Sequence, residues 1–147
     1  MKKRILGVVA MLTVVLAVSA FGYTHITGVV KADIPFDFMV SGKTLQAGTY
    51  NVQRGSTGVT VLIRKVNGND AATSIVMNGE TTKADGKARL VFNRYGNEYF
   101  LTEIWDGSSS TTTQLPKSKA ERAAQKRNSD RIANGSAQPE KVIVYAD

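Results

Sequence analysis

From Ala32 onward the apolar side chains of this chain recur at every second position, not at every third or fourth. Ala32, Ile34, Phe36, Phe38 and Val40 alternate with Asp33, Pro35, Asp37 and Met39. Successive side chains of an extended chain point to opposite faces, so this period demands a half-buried strand. Pro35 has no N–H for a sheet ladder, which predicts an edge strand or a bulge at that point. The 147 residues include no cysteine. No disulfide can therefore staple the strands, and core packing with strand pairing must hold them.

The same punctuation continues. Ser41-Gly42-Lys43 and Ala47-Gly48 read as turns, the second feeding a strand over Thr49–Arg54, with Gly48 in a backbone conformation that other residues resist. Gly55–Gly58 is a turn, and Val59–Val66 a strand rich in β-branched residues. Asn67-Gly68-Asn69-Asp70 closes a hairpin onto Thr73–Met77. Asn78–Lys87 reads as a polar loop and Gly107–Thr113 as a Ser/Thr loop. Between them Ala88–Tyr95 and Glu98–Trp105 form a hairpin joined at Gly96-Asn97. Leu90-Val91-Phe92 faces Tyr99-Phe100-Leu101 across it, supplying large cross-strand pairs. Apolar residues on both faces place this hairpin in the middle of the core, with Phe92 buried where two sheets, or one curled sheet, close.

After Pro116 the pattern changes. Ser118-Lys119-Ala120-Glu121 matches a capping box, good helix formers follow, and Asn134-Gly135 is a stop, so a helix is expected over about Lys119–Ala133. Ile132 is its only sizeable apolar residue, which predicts a solvated or loosely docked helix. Lys141–Tyr145 reads as a last strand returning to the sheet. The expected fold is mostly β: an antiparallel β-sandwich or small barrel of about seven strands, with one C-terminal basic helix.

The N-terminus has the form of a secretory signal peptide. Lys2, Lys3 and Arg4 precede an apolar run from Ile5 to Val18, and Val18-Ser19-Ala20 offers small residues at the cleavage positions. A spanning helix needs about 20 apolar residues and this run is shorter. The alternative is an uncleaved inner-membrane anchor at residues 5–20. The organisation expected is a signal peptide at 1–20, a lead-in at 21–28, a β-domain at 29–115, a basic helical segment at 116–135 and a C-terminal segment with a short strand at 136–147. That places the chain in the periplasm, on the outer surface or in the medium. The net charge of +7 is local: the leader supplies three of it, and residues 116–135, with six basic and two acidic side chains, supply the rest. A high isoelectric point with this distribution is no argument for nucleic-acid binding, and no specific nucleic acid is expected. Lys117, Lys119, Arg122, Lys126, Arg127 and Arg131 are candidates for meeting an anionic envelope surface.

Three segments together carry a family likeness: Ile34-Pro35-Phe36-Asp37-Phe38 with Leu45-Gln46-Ala47-Gly48-Thr49-Tyr50, Leu90–Gly96 running into Tyr99-Phe100-Leu101, and Leu115-Pro116-Lys117-Ser118. The chain resembles a family of small uncharacterised exported β-domain proteins abundant in acidobacterial genomes. It departs at Gln46, where the pattern usually has proline, which implies a looser turn. The resemblance implies export and a β-domain, and nothing about chemistry.

No catalytic, cofactor or metal constellation is legible. His25 is the only histidine and precedes the first strand; without cysteine, a zinc site would need an unusual carboxylate set. No serine sits in a nucleophile elbow and no glycine loop cradles phosphate. Asn67–Asp70 lacks the spacing and terminal glutamate of a calcium loop. Two carboxylate pairs, Asp33 with Asp37 and Glu103 with Asp106, are the residues a glycosidase would need, and surface solvation explains each more simply. Tyr99 and Trp105 are read as core anchors before groove residues. The expectation is an exported non-enzymatic β-domain with a binding or structural role at the envelope. The alternative is an envelope carbohydrate-active enzyme using carboxylates such as Glu103 and Asp106.

Overall fold

A computed structural model describes residues 29–81, 83–131 and 138–147. The leader, the lead-in with His25 and the stop at Asn134-Gly135 lie outside the described residues. No described helix is long and apolar enough to cross a membrane.

The alternating segment forms β1 (Val29–Ile34) and β2 (Phe38–Val40), with Pro35 in the break between them. β1 ends one sheet while β2 joins another, so the proline marks the point where the chain changes sheet. The strands that follow are β3 (Lys43–Leu45), β4 (Gly48–Arg54), β5 (Thr60–Lys65), β6 (Ala71–Ile75), β7 (Met77–Thr81), β8 (Ala88–Tyr95), β9 (Glu98–Asp106) and β10 (Thr111–Gln114). Helix α1 (Lys119–Arg131) and strand β11 (Glu140–Tyr145) complete the chain. A four-stranded sheet runs β1-β4-β5-β6, and a seven-stranded one has the path β11-β8-β9-β10-β7 with β2 and β3 attached through β9. The architecture is the mostly-β, two-sheet fold with one C-terminal helix that the periodicity dictates.

Both corners between the sheets are bridged. Lys43 Nζ donates to the Ala71 carbonyl at 2.7 Å, and Ser41 Oγ to Ser74 Oγ at 2.7 Å, so the β2–β3 hairpin covers the edge at β6. At the other corner Asp147 N donates to the Lys31 carbonyl at 2.9 Å, tying the end of the chain beyond β11 to β1. Covered edges resist pairing with other chains.

The described residues form eleven strands, against about seven expected from the sequence. Part of the increase is Pro35 splitting one alternating stretch. One more is the short β3 beside the Ser41-Gly42-Lys43 turn, and the other two, β7 and β10, fall largely in the segments read as polar loops and pair with each other. Threonine suits a pleated strand despite its hydroxyl. Thr112 is fully buried and its Oγ1 donates to the Glu80 carbonyl at 3.2 Å. The strands approach so closely at Gly79 that a Cβ there would sit 2.2 Å from Thr112 Oγ1. Gly48, at φ +146°, holds the angle its turn requires.

The central hairpin lies in the middle of the larger sheet, as its two apolar faces require. Phe92 is fully buried between the sheets and meets Phe36 and Phe38 edge-to-face, at 5.2 and 5.5 Å between centroids. A bulge fixes what each face presents. Val91 pairs with Glu103 but Phe92 pairs with Leu101, leaving Thr102 as the extra residue, its Oγ1 donating to the Val91 carbonyl. The extra residue lets Leu101 and Ile104, three apart, both reach the core, while Phe100 packs with Tyr95 in a second cluster.

Candidate functional site

The second face of the central hairpin is covered by α1, and a polar cleft opens beside the helix. Ser118 caps α1: its Oγ accepts from Glu121 N at 3.1 Å. The other half of the capping box is not made. Instead of reaching back, the Glu121 side chain turns into the sheet and is only 2 % exposed. Its Oε1 accepts from Asn93 Nδ2 at 2.8 Å and, at the limit of hydrogen bonding, from Tyr95 OH at 3.5 Å. Burial, then the Glu121 charge, then the bond to that carboxylate push the Tyr95 hydroxyl up to about 12, so it stays a donor. Ala120 and Ala124 let the helix approach Tyr95 and Phe100 closely. The helix is thus docked through small residues and a buried carboxylate. The expectation of a solvated or loose helix is corrected, because it counted only large apolar residues as a burying face.

The cleft between α1, the sheet and the segment leading into β11 has a volume of about 580 Å³. Its lining is dominated by groups that both donate and accept: the amides of Asn93, Gln114, Gln125 and Gln138, and the hydroxyls of Thr102 and Ser129. Asn93 is 6 % exposed; its Nδ2 is spent on Glu121, and its Oδ1 has no hydrogen-bond partner among the described residues. Two cations, Lys117 and Lys141, and one carboxylate, Glu103, complete the charged lining.

The carboxylates singled out from sequence are occupied in separate structural bonds. Asp33 Oδ1 accepts from Thr49 Oγ1 at 3.2 Å, and Asp37 Oδ1 from Ala47 N at 2.8 Å. Glu103 Oε1 accepts from Lys141 Nζ at 2.6 Å, and Oε2 from Trp105 Nε1 at 3.4 Å. Asp106 Oδ1 binds the backbone of Ser108 and Ser109 and lines a different hollow, with Val30 and Ile104. Glu103 and Asp106 therefore do not face one common space. Among the described residues no three acidic or histidine side chains cluster as a metal site would need. Tyr99 stacks on Phe36 at 4.0 Å, and Trp105 carries the Arg89 guanidinium over its ring at 4.3 Å.

The basic residues separate into two groups. Arg127 pairs with Glu98 at 2.7 Å. Lys117 donates to Gln125 Oε1, and Arg122 to the Lys117 carbonyl. Lys117, Lys119, Arg122 and Lys126 make no ion pair with described residues and are exposed. Positions 119, 122 and 126 form one stripe of the helix, and 122 and 126 neighbour the cleft residues Gln125 and Ser129 at helical spacing. The stripe is the outer rim of the cleft. The side chain of Arg131 lies outside the described residues.

Sequence reasoning named the rim and Glu103 but missed the floor. Glu121 was visible only as a cap, and Asn93 only as a polar interruption between Phe92 and Arg94. Comparison of the chain with protein-family models, with characterised proteins and with solved structures returns no match.

Proposed function

We propose that this chain is an exported, non-enzymatic β-domain that works by binding at the bacterial envelope, and that its binding site is the polar cleft beside α1. The observation that carries this reading is the lining of that cleft, where five amide and hydroxyl side chains accompany Asn93, whose buried acceptor Oδ1 has no partner among the described residues. A buried polar atom left without a partner costs about 1–3 kcal/mol, which a ligand donor recovers. Support for binding rather than hydrolysis comes from the carboxylates: Glu103 already bridges Lys141 and Trp105, and Asp106 lines a different hollow. Export rests on the leader, and the secreted protein is expected to begin at Phe21 by intact mass spectrometry.

The test is sedimentation of the protein, as recovered from its host, with purified native envelope fragments. Ser129→Trp places a large side chain at the cleft mouth without touching the core. Wild type is expected to pellet with the fragments and the variant to stay in the supernatant. Equal pelleting of both would remove the cleft as the site, and failure of wild type to pellet would remove envelope binding.

A further inference from the structure

We propose that the ligand of this cleft is a glycan strand carrying carboxylates, and that it runs out of the cleft across the open half of the outer sheet face onto Tyr145. The inference rests on the reading of the cleft as a binding site and adds the ligand class and its path.

Three features select the class. First, a lining of carboxamides and hydroxyls offers donors and acceptors together, among them Asn93 Oδ1, which has no partner among the described residues. Sugar hydroxyls and acetamides present the same mixture, whereas a lipid tail or an apolar peptide would leave these groups unpaired. Second, the lining holds two cations, Lys117 and Lys141, against one carboxylate, Glu103, which Lys141 neutralises, and Arg122 and Lys126 on the adjoining helix face make no ion pair with described residues. The cleft therefore favours negative charge on its occupant. Third, the outer face continues beyond the helix as an apolar and aromatic strip. On β11, Lys141, Ile143 and Tyr145 share one face at period two. Lys141 lines the cleft, and the next two are 49 % and 61 % exposed. Tyr145 pairs with Arg89, whose guanidinium covers the Trp105 ring on the next strand, so Tyr145 is the exposed ring at the end of this strip. An exposed ring beside a polar cleft presents a flat apolar surface with a polar tip, which suits the C–H face of a pyranose ring.

A single-stranded nucleic acid is the competing polyanion. Its binding sites combine a continuous cationic track with stacked aromatics. Here the cations of the lining are interrupted by Glu103, and the amide floor has no counterpart in phosphate binding.

The test measures affinity calorimetrically with three soluble probes at fixed salt: a hyaluronan hexasaccharide, which carries carboxylates and acetamides, the neutral chitin hexasaccharide, and a thymidine oligonucleotide of matching length. The hyaluronan probe is expected to bind at least about tenfold more tightly than either of the others. Tyr145→Ala is expected to weaken it by roughly tenfold, the scale of one aromatic anchor, with Trp105 fluorescence and the urea midpoint unchanged. Equal binding of the oligonucleotide would replace the glycan with a polyanion, and equal binding of the chitin probe would remove the requirement for carboxylates. An unaffected Tyr145→Ala would remove the path onto β11. If all three probes fail while envelope fragments still bind through the cleft, the ligand class is overturned and the cleft stands. If the fragments also fail, both readings fall.

Discussion

Replacing Glu121 by alanine tests how the helix is held on the sheet. The carboxylate is the acceptor for a good buried bond from Asn93 Nδ2 at 2.8 Å and a marginal one from Tyr95 OH at 3.5 Å. Removing it leaves one well-paired buried donor without a partner, at about 1–3 kcal/mol, and the long tyrosine bond adds little. Against this, the buried charge no longer has to be kept out of water, which offsets part of the loss. The net expectation is destabilisation of about 1–3 kcal/mol for Glu121→Ala. Glu121→Gln keeps an acceptor of the same shape and is expected to lose less than about 1 kcal/mol. Urea unfolding followed by Trp105 fluorescence measures both. Because the same trio anchors α1, tryptic cleavage within 117–131 should accelerate in the alanine variant while the β-strands stay resistant. An alanine variant as stable and as slowly cut as wild type would refute the role given to the buried carboxylate. So would a glutamine variant that loses as much as alanine.

Phe92→Ala should cost about 3–5 kcal/mol by urea unfolding, because the fully buried ring leaves a cavity beside Phe36 and Phe38. Tyr95, 3 % exposed under α1, does not face solvent, so Tyr95→Ala should also be costly, at about 3 kcal/mol or more, rather than the small loss a tip residue would show. Above pH 10 the unfolded chain gives up its tyrosine protons while Tyr95 holds its own to about 12. Stability complete below pH 10 should therefore fall as pH rises toward 12, by up to about 3 kcal/mol, and Tyr95→Phe should flatten that part of a pH series of urea midpoints. Gly79→Val should cost about 1–3 kcal/mol, since its Cβ would collide with Thr112 and Gln114, and amide exchange should then speed up first in β7 and β10.

The two-sheet, mostly-β fold was legible because its periodicity is strong and local. Ala32 to Val40 and the hairpin at Gly96-Asn97 announce their faces by alternation, and every residue of that stripe is buried or partly buried. β7 and β10 were illegible because their stabilisation is a long-range pairing of polar strands, in which Gly79 matters for having no side chain and Thr112 for a bond to Glu80. The basic rim of the cleft could be read from charge alone. Its floor could not, since Asn93, Thr102, Gln114 and Gln138 come from four separated stretches of chain and only the tertiary fold brings them together. Thr102 owes its place to a bulge that no local pattern reveals. Glu121 shows a local rule overridden: the capping box supplied the helix start, and burial against the sheet redirected the carboxylate from its own backbone to Asn93.

The most direct measurement of the central claim is a two-dimensional NMR titration of the protein with solubilised envelope glycan, following the side-chain amide signals. The carboxamide resonances of Asn93, Gln114, Gln125 and Gln138 are expected to shift together and saturate at one ligand concentration, while Asn51 and Gln53 on β4 of the opposite sheet stay in place. Shifts confined to the four-stranded sheet, or an unchanged Asn93 signal at saturation, would contradict it.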